Sequence, residues 1–199
     1  MSFDPNRYLN QSVAAVPKSG IRKFFDVAAT IPGAISLGVG EPDFVTPYHI
    51  RNAAINSILD GETQYTSNWG LLELRQEIAA YVDNRFHISY DPKNEILVTV
   101  GASEGIDLAL RALLNPGEEV LVPEPSYVSY APCVIFAGGC PVAVPTSEAN
   151  NFVLTPEALE KAITPKTKAL ILPYPNNPTG GILGRSELEK LREVILRHD

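Results

Sequence analysis

Cysteine is scarce: the 199-residue sequence holds two, Cys133 and Cys140. They have neither CxxC nor metal-ligand spacing, which excludes a disulfide framework and a thiolate metal site. They read as two reduced, mostly buried thiols of a cytoplasmic protein. Histidine is as thin. His49, His87 and His198 are scattered, and no Ser/His/Asp or Cys/His arrangement is evident. Long apolar runs are missing. Mean hydropathy is +0.00, and the uncharged stretches are broken by Pro or Gly before they could span a bilayer. Residues 1–11 are polar, with no apolar export core. Basic charge is in deficit, 16 Lys and Arg against 23 Asp and Glu, for a net charge of −7. An acidic surface repels a phosphate backbone, so nucleic acid is excluded as a partner. One small phosphate is not excluded, because a local pocket of backbone N–H groups can hold an anion against a weak global field.

What is present is ordinary in amount: 45% hydrophobic and 20% charged residues, enough for a sizeable core. The 17 prolines and 14 glycines punctuate it. Residues 1–18 read as an irregular arm. Ser19 can cap a helix with Ile21, Phe24, Phe25 and Ala28 on one face. A short strand is expected at 34–37. Thr46-Pro47 opens a helix with Ile50, Ala54 and Ile58 inward, stopping at Gly61. Leu71, Leu74, Ile78 and Val82 mark the next helix.

From residue 95 the rhythm becomes strand, turn, helix. Strands are expected at 95–100, 119–122, 141–144 and 168–172. Helices are expected after Gly101, at 126–136, from Thr155-Pro156 to about 163, and at the end, where Ser186 and Glu189 form a capping box. Alternating strands and helices imply an α/β fold with a mostly parallel sheet flanked by helices. In such sheets ligands sit beyond the carboxyl ends of the strands.

Four strings could carry chemistry. Gly101-Ala102-Ser103-Glu104-Gly105 joins a strand to a helix. A helix N-terminus offers unpaired N–H groups and partial positive charge, small side chains let a phosphate approach, and the Ser103 hydroxyl adds a donor. The same string also suits an ordinary turn with Ser103 as cap. Gly38-Val39-Gly40 fails as a dinucleotide fingerprint, since Pro42 and Asp43 stand where a third Gly is needed. It suggests a backbone passing close to something, or a plain turn. The string 173–180, Pro-Tyr-Pro-Asn-Asn-Pro-Thr-Gly, is the most distinctive: its prolines make a rigid loop from which Asn177 could present its amide. Asn177–Pro178 is a candidate cis peptide, and a surface turn with self-bonded asparagines is the plainer reading. Tyr127, after Pro123-Glu124-Pro125, could stack on a flat ligand or pack on the core.

In order along the chain, six strings resemble the class I/II aminotransferases, the fold-type-I family that uses pyridoxal 5'-phosphate. They are Ser19-Gly20-Ile21-Arg22; the run 40–47, Gly-Glu-Pro-Asp-Phe-Val-Thr-Pro; Tyr65 with Glu73-Leu74-Arg75; Val100-Gly101-Ala102-Ser103; Pro125-Ser126-Tyr127 with Ser129-Tyr130; and the run 175–180. The resemblance implies that Ala102 and Ser103 bind the cofactor phosphate, Tyr127 stacks on the pyridine, and Asn177 bonds its phenolic oxygen. It implies that the backbone of Gly40 meets the substrate α-carboxylate and that Ile21 lies at the substrate mouth. Tyr65 would reach across a homodimer to the neighbour's cofactor phosphate. An L-amino acid and a 2-oxo acid would be the substrates.

The same resemblance makes 1–46 an N-terminal arm and part of a small domain, and 47–199 the first portion of the large cofactor-binding domain. None of the seven lysines (Lys18, Lys23, Lys93, Lys161, Lys166, Lys168, Lys190) stands in the Ser-rich context of the family's cofactor-bearing lysine. No catalytic residue is therefore assigned within the chain, the isolated 199 residues are expected to be inactive, and an apolar sheet edge is expected to stand open. Two other readings use the same strings: a pyridoxal-phosphate C–S lyase, and a non-catalytic fragment that binds cofactor or dimerises.

Overall fold

The computed structural model describes residues 7–17, 20, 27, 30–33, 35, 40 and 42–198. The helix expected from Ser19, the strand at 34–37 and Ile21 fall largely or wholly outside them. The chain divides into two compact units, residues 19–99 and residues 1–18 with 100–199.

In the first unit, α2 (Tyr48–Leu59) follows Pro47 and ends at Gly61, whose φ of +81° continues no helix. Pro47 itself, not Thr46, is the N-cap, and no side chain caps the end. α3 (Leu72–Phe86) buries Arg75, whose guanidinium donates to the carbonyls of Pro92 (2.7 Å) and Lys93 (3.1 Å). The expected strand at 95–100 does not form. Val98 N–H donates to the carbonyl of Trp69 (3.1 Å), but no neighbouring strand runs beside it among the described residues, and a strand without a ladder is not a strand.

Gly70 lies between the two. Its φ is +91°, and a Cβ there would sit 2.7 Å from Cβ and Cγ2 of Val98. Gly70→Ala therefore adds backbone strain to a collision, and is expected to destabilise this unit by about 1–3 kcal/mol. The sequence holds one tryptophan, and it is the adjacent Trp69, so denaturant unfolding followed by its fluorescence reads the effect directly. An unchanged midpoint would contradict it.

The second unit begins with a short helix, α1 (Gln11–Ala15), capped by the Asn10 side chain. Its body is α4 (Gly101–Leu113), β1 (Glu119–Glu124), α5 (Tyr130–Phe136), β2 (Cys140–Pro145), a 3-10 turn (Glu148–Asn150), α6 (Pro156–Ala162), β3 (Thr167–Leu170) and α7 (Arg185–Arg197). The three strands form a parallel sheet in the order β2-β1-β3, with Leu121 level with Val142 on one side and Leu170 on the other.

β1 is the middle strand, and its alternation sends side chains to two cores. Val120 and Val122 pack with Leu110 and Leu114, from and just after α4, and with Cys133 and Val134 of α5. Leu121 packs the other way, with Val144, Leu154, Leu159 of α6, and Leu191 and Val194 of α7. A strand covered on both faces needs a continuous apolar run, which is why 120–122 shows no polar alternation.

Element ends follow local chemistry. Thr155 caps α6 through the N–H of Ala158 (3.2 Å), with Pro156 at the first helical position. α5 starts at Tyr130 rather than Ser126, because 126–129 form a turn after Pro125. The Ser186/Glu189 capping box is absent: α7 begins at Arg185 after Gly184, and the Glu189 carboxylate pairs instead with Arg185 at 2.8 Å. Cys133 is buried, and burial first, then Asp107, raises its thiol pKa. Cys140, expected to be mostly buried, is exposed at the start of an edge strand. Beside β3, a groove of about 630 Å³ has mixed walls, apolar at Ile163, Ala169 and Ile195 and polar at Thr167, Lys168 and His198. Among the described residues no helix is long and apolar enough to cross a membrane.

Candidate functional site

The order β2-β1-β3 reverses direction at β1. The chain leaves β1 through residues 125–129 to α5, which packs on one face of the sheet. It leaves β3 through residues 171–184 to α7, which packs on the other face. Two loops that depart from neighbouring parallel strands to opposite faces leave a crevice at the carboxyl end of the sheet. Tyr127 is on the first loop and Asn177 on the second.

α4 adds a third wall. It joins β1 through a short connection, and its 13 residues are about 20 Å long, the reach of the six-residue β1 beside it. Its Leu110, with Ile106 against it, shares a core with Val120 and Val122 of β1, so α4 covers that face of the sheet. Ala102 and Ser103 are in the first turn of α4, and both are exposed. The turn starts at Gly101 with φ +83°, a conformation in which a Cβ is strained. The N-cap is Val100, and its side chain makes no capping bond, so Ser103 does not serve as the cap. The Glu104 carboxylate accepts from the Val100 N–H, which draws its negative charge onto the backbone before the helix.

Tyr127 keeps 38% of its surface exposed and meets Tyr130 edge to face, with centroids 5.6 Å apart and planes at 76°. Its own faces are thus not stacked on that neighbour. Burial first, then Tyr127, raises the Tyr130 hydroxyl pKa.

The 173–181 loop is pinned from below. The Tyr174 hydroxyl donates to the carbonyl of Phe152 (3.0 Å) and accepts from the N–H of Leu154 (2.8 Å). Burial is the larger influence on its pKa and raises it, opposed by the Leu154 bond. Tyr174–Pro175 and Asn177–Pro178 are cis, as is Glu124–Pro125. Asn177 is exposed, while Asn176 is buried and bonds across to the carbonyl of Pro125 at 2.9 Å. Sequence reasoning singled out Asn177 and passed over Asn176 and Tyr174. No local signal distinguished the two asparagines, since the partner that buries Asn176 is the Pro125 carbonyl, far away in the chain. Tyr174→Phe leaves the buried Leu154 N–H without a partner and should cost about 1–3 kcal/mol. Its check is a lower thermal midpoint with faster amide exchange at Leu154; unchanged exchange there would refute it.

The remaining candidates lie in the other unit. Tyr65 is fully exposed, in a shallow depression with Thr63 and Gln64. Gly40 is exposed, with nothing within 4 Å of where a Cβ would stand. Ile21 lies outside the described residues. Among the described residues no three His, Cys, Asp or Glu side chains group as metal ligands.

The donor set suits a phosphorylated aromatic ligand: helical N–H groups and a hydroxyl for the anion, a ring face for the aromatic system, and a carboxamide for a ring oxygen. Residues 32–199 match the family model described as "Aminotransferase class I and II". The chain is 48% identical to the aromatic-amino-acid aminotransferase 2 of Thermococcus litoralis, over 96% of its own length and 49% of the relative's. It is 50% identical to an aspartate aminotransferase of Pyrococcus abyssi, over 92% of its length and 47% of the relative's. The solved aspartate aminotransferase of Thermus thermophilus with maleate superposes with a TM-score of 0.87 at 37% identity, over 96% of this chain and 51% of that one. The chain thus spans about half the length of the curated relatives it matches.

Proposed function

The chain belongs to the class I and II aminotransferases, and from that membership we propose that the whole protein moves an amino group between an L-amino acid and a 2-oxo acid with pyridoxal 5'-phosphate. What supports the reading, beside the family match, is the 2.9 Å bond from Asn176 to the Pro125 carbonyl, which brings together the loops that carry Tyr127 and Asn177. The residues there fit the cofactor. The first-turn N–H groups of Ala102 and Ser103, with the Ser103 hydroxyl, would hold its phosphate, Tyr127 would cover a face of its ring, and Asn177 would donate to its phenolic oxygen. Bound there, the cofactor supplies an electron-withdrawing ring that takes up the charge left when the Cα–H bond of an amino acid breaks. This chain's residues bind and orient it, and the stacked tyrosine keeps water from one ring face.

Gly40 and Ile21 are assigned to the substrate, and Tyr65 to the cofactor phosphate of a second copy in a homodimer. The relatives' names include aspartate, aromatic amino acids and N-acetyl-LL-diaminopimelate, so the shared α-amino acid core is the substrate class proposed. Lys166 stands at the amino end of β3, opposite the crevice, and Lys161 and Lys190 lie in α6 and α7. None of the seven lysines stands in the Ser-rich context of the family's cofactor-bearing lysine, so the 199 residues alone are proposed to be inactive.

The test measures amino transfer to 2-oxoglutarate by the whole protein, beside cofactor binding by the 199-residue chain. Transfer by the first and phosphate-dependent binding without turnover by the second are expected. Release of ammonia and pyruvate instead would move the assignment to a C–S lyase. Absence of cofactor binding would overturn it.

A further inference from the structure

We infer that Asn176 is a positioning residue that ties together the two loops of the crevice and so sets the spacing between Tyr127 and Asn177. The inference rests on the cofactor reading above, and its geometry stands on four bonds. The Asn176 Nδ2 donates to the carbonyl of Pro125 at 2.9 Å, across the crevice, and to Thr179 Oγ1 at 3.0 Å within its own loop. Its backbone N–H donates to the carbonyl of Gly181 and its carbonyl accepts from the N–H of Gly180, both at 2.8 Å. The residue is thus fixed at main chain and side chain alike.

The other loop is held from the far side. The Glu124 carbonyl accepts from the N–H (2.8 Å) and the hydroxyl (2.7 Å) of Thr146, after β2. Pro125 is therefore gripped between the end of β2 and Asn176. Tyr127 follows Pro125 by two residues and Asn177 follows Asn176 by one, so the lever arms from the tie to the ligand groups are short.

Asn176 is 5% exposed, and its Oδ1 is buried with no partner. An orphaned acceptor is a cost that folding alone would avoid. The donor side of the amide is what this position uses. Among the described residues no other hydrogen bond joins residues 125–129 to residues 171–184, which turn to opposite faces of the sheet.

Asn176→Asp keeps the shape and replaces the donor by an oxygen facing the Pro125 carbonyl; Asn176→Ala removes the side chain. Three readouts apply. In the cofactor-free protein labelled with fluorotyrosine, the Tyr127 19F signal should shift and broaden in both variants. In the whole protein with pyridoxal 5'-phosphate, the visible circular dichroism of the cofactor should fall, and kcat should drop by about tenfold or more with KM little changed, as for a misplaced rather than a missing contact. In the wild type, the Asn176 side-chain amide protons should exchange slowly, a measurement that stands even if both variants fail to fold. Variants that lose thermal stability while the Tyr127 signal and the visible band stay as in wild type would reduce Asn176 to a structural residue, and fast amide exchange in the wild type would sink the tie outright. A wild type with no visible band on adding cofactor defeats the cofactor reading instead, and the 19F signal then judges the tie alone.

Discussion

Ser103→Asp is expected to weaken pyridoxal 5'-phosphate binding by about a hundredfold. Ser103 is exposed in the first turn of α4, where the helix dipole favours an anion. A fixed carboxylate there would repel the phosphate. Two unit charges 4 Å apart at an effective dielectric near 20 repel by about 4 kcal/mol. Salt and solvent reduce that, and about 2.7 kcal/mol corresponds to the hundredfold stated. Ser103→Ala removes one neutral donor and should cost about 1 kcal/mol, or roughly fivefold.

A control separates charge from unfolding. An acidic residue in a first helical turn stabilises the helix, so Ser103→Asp should leave the thermal midpoint level or raised. Unphosphorylated pyridoxal should bind wild type and variant alike. Titration of both ligands by absorbance decides the matter, and equal loss for both would show that the phosphate is not held at this turn.

Leu121→Ala should cost the second unit about 2–5 kcal/mol. Leu121 is 1% exposed at the centre of the middle strand, in the core built from Val144, Leu154, Leu159, Leu191 and Val194. Its neighbours come from four separate segments held by the sheet and two helices, so the cavity cannot close by moving one of them. Calorimetry should show a lower midpoint, and amide exchange across β1 should quicken. Ile182→Ala, at a position 68% exposed, should stay within about 0.5 kcal/mol of wild type. Equal effects at the two positions would mean that the core is not where Leu121 places it.

These two expectations divide the molecule as the sequence did. The turn after Val100 was legible because small residues before an amphipathic helix are visible in the chain itself. The apolar run at 120–122 was legible because a doubly covered strand has no polar face to interrupt it. The run 96–98 was equally apolar, yet forms no strand, since strand formation depends on a neighbour's N–H and C=O groups and not on its own composition. The Ser186/Glu189 pair failed as a cap for a similar reason: Arg185 lies one turn from Glu189 and takes the carboxylate first.

Asn176 shows the same limit at the site. Its neighbour Asn177 has the same chemistry in the sequence, and which of the two turns inward depends on the Pro125 carbonyl, 51 residues away. By itself the sequence determined the succession of elements from residue 101 onward and the Pro/Asn loop after β3, because each of these is written in residues close together along the chain. Only the tertiary structure decided that the strands order as β2-β1-β3, that the loops after β1 and β3 part to opposite faces, and that Asn176 joins them, because each of these is a contact between segments whose separation no local pattern encodes.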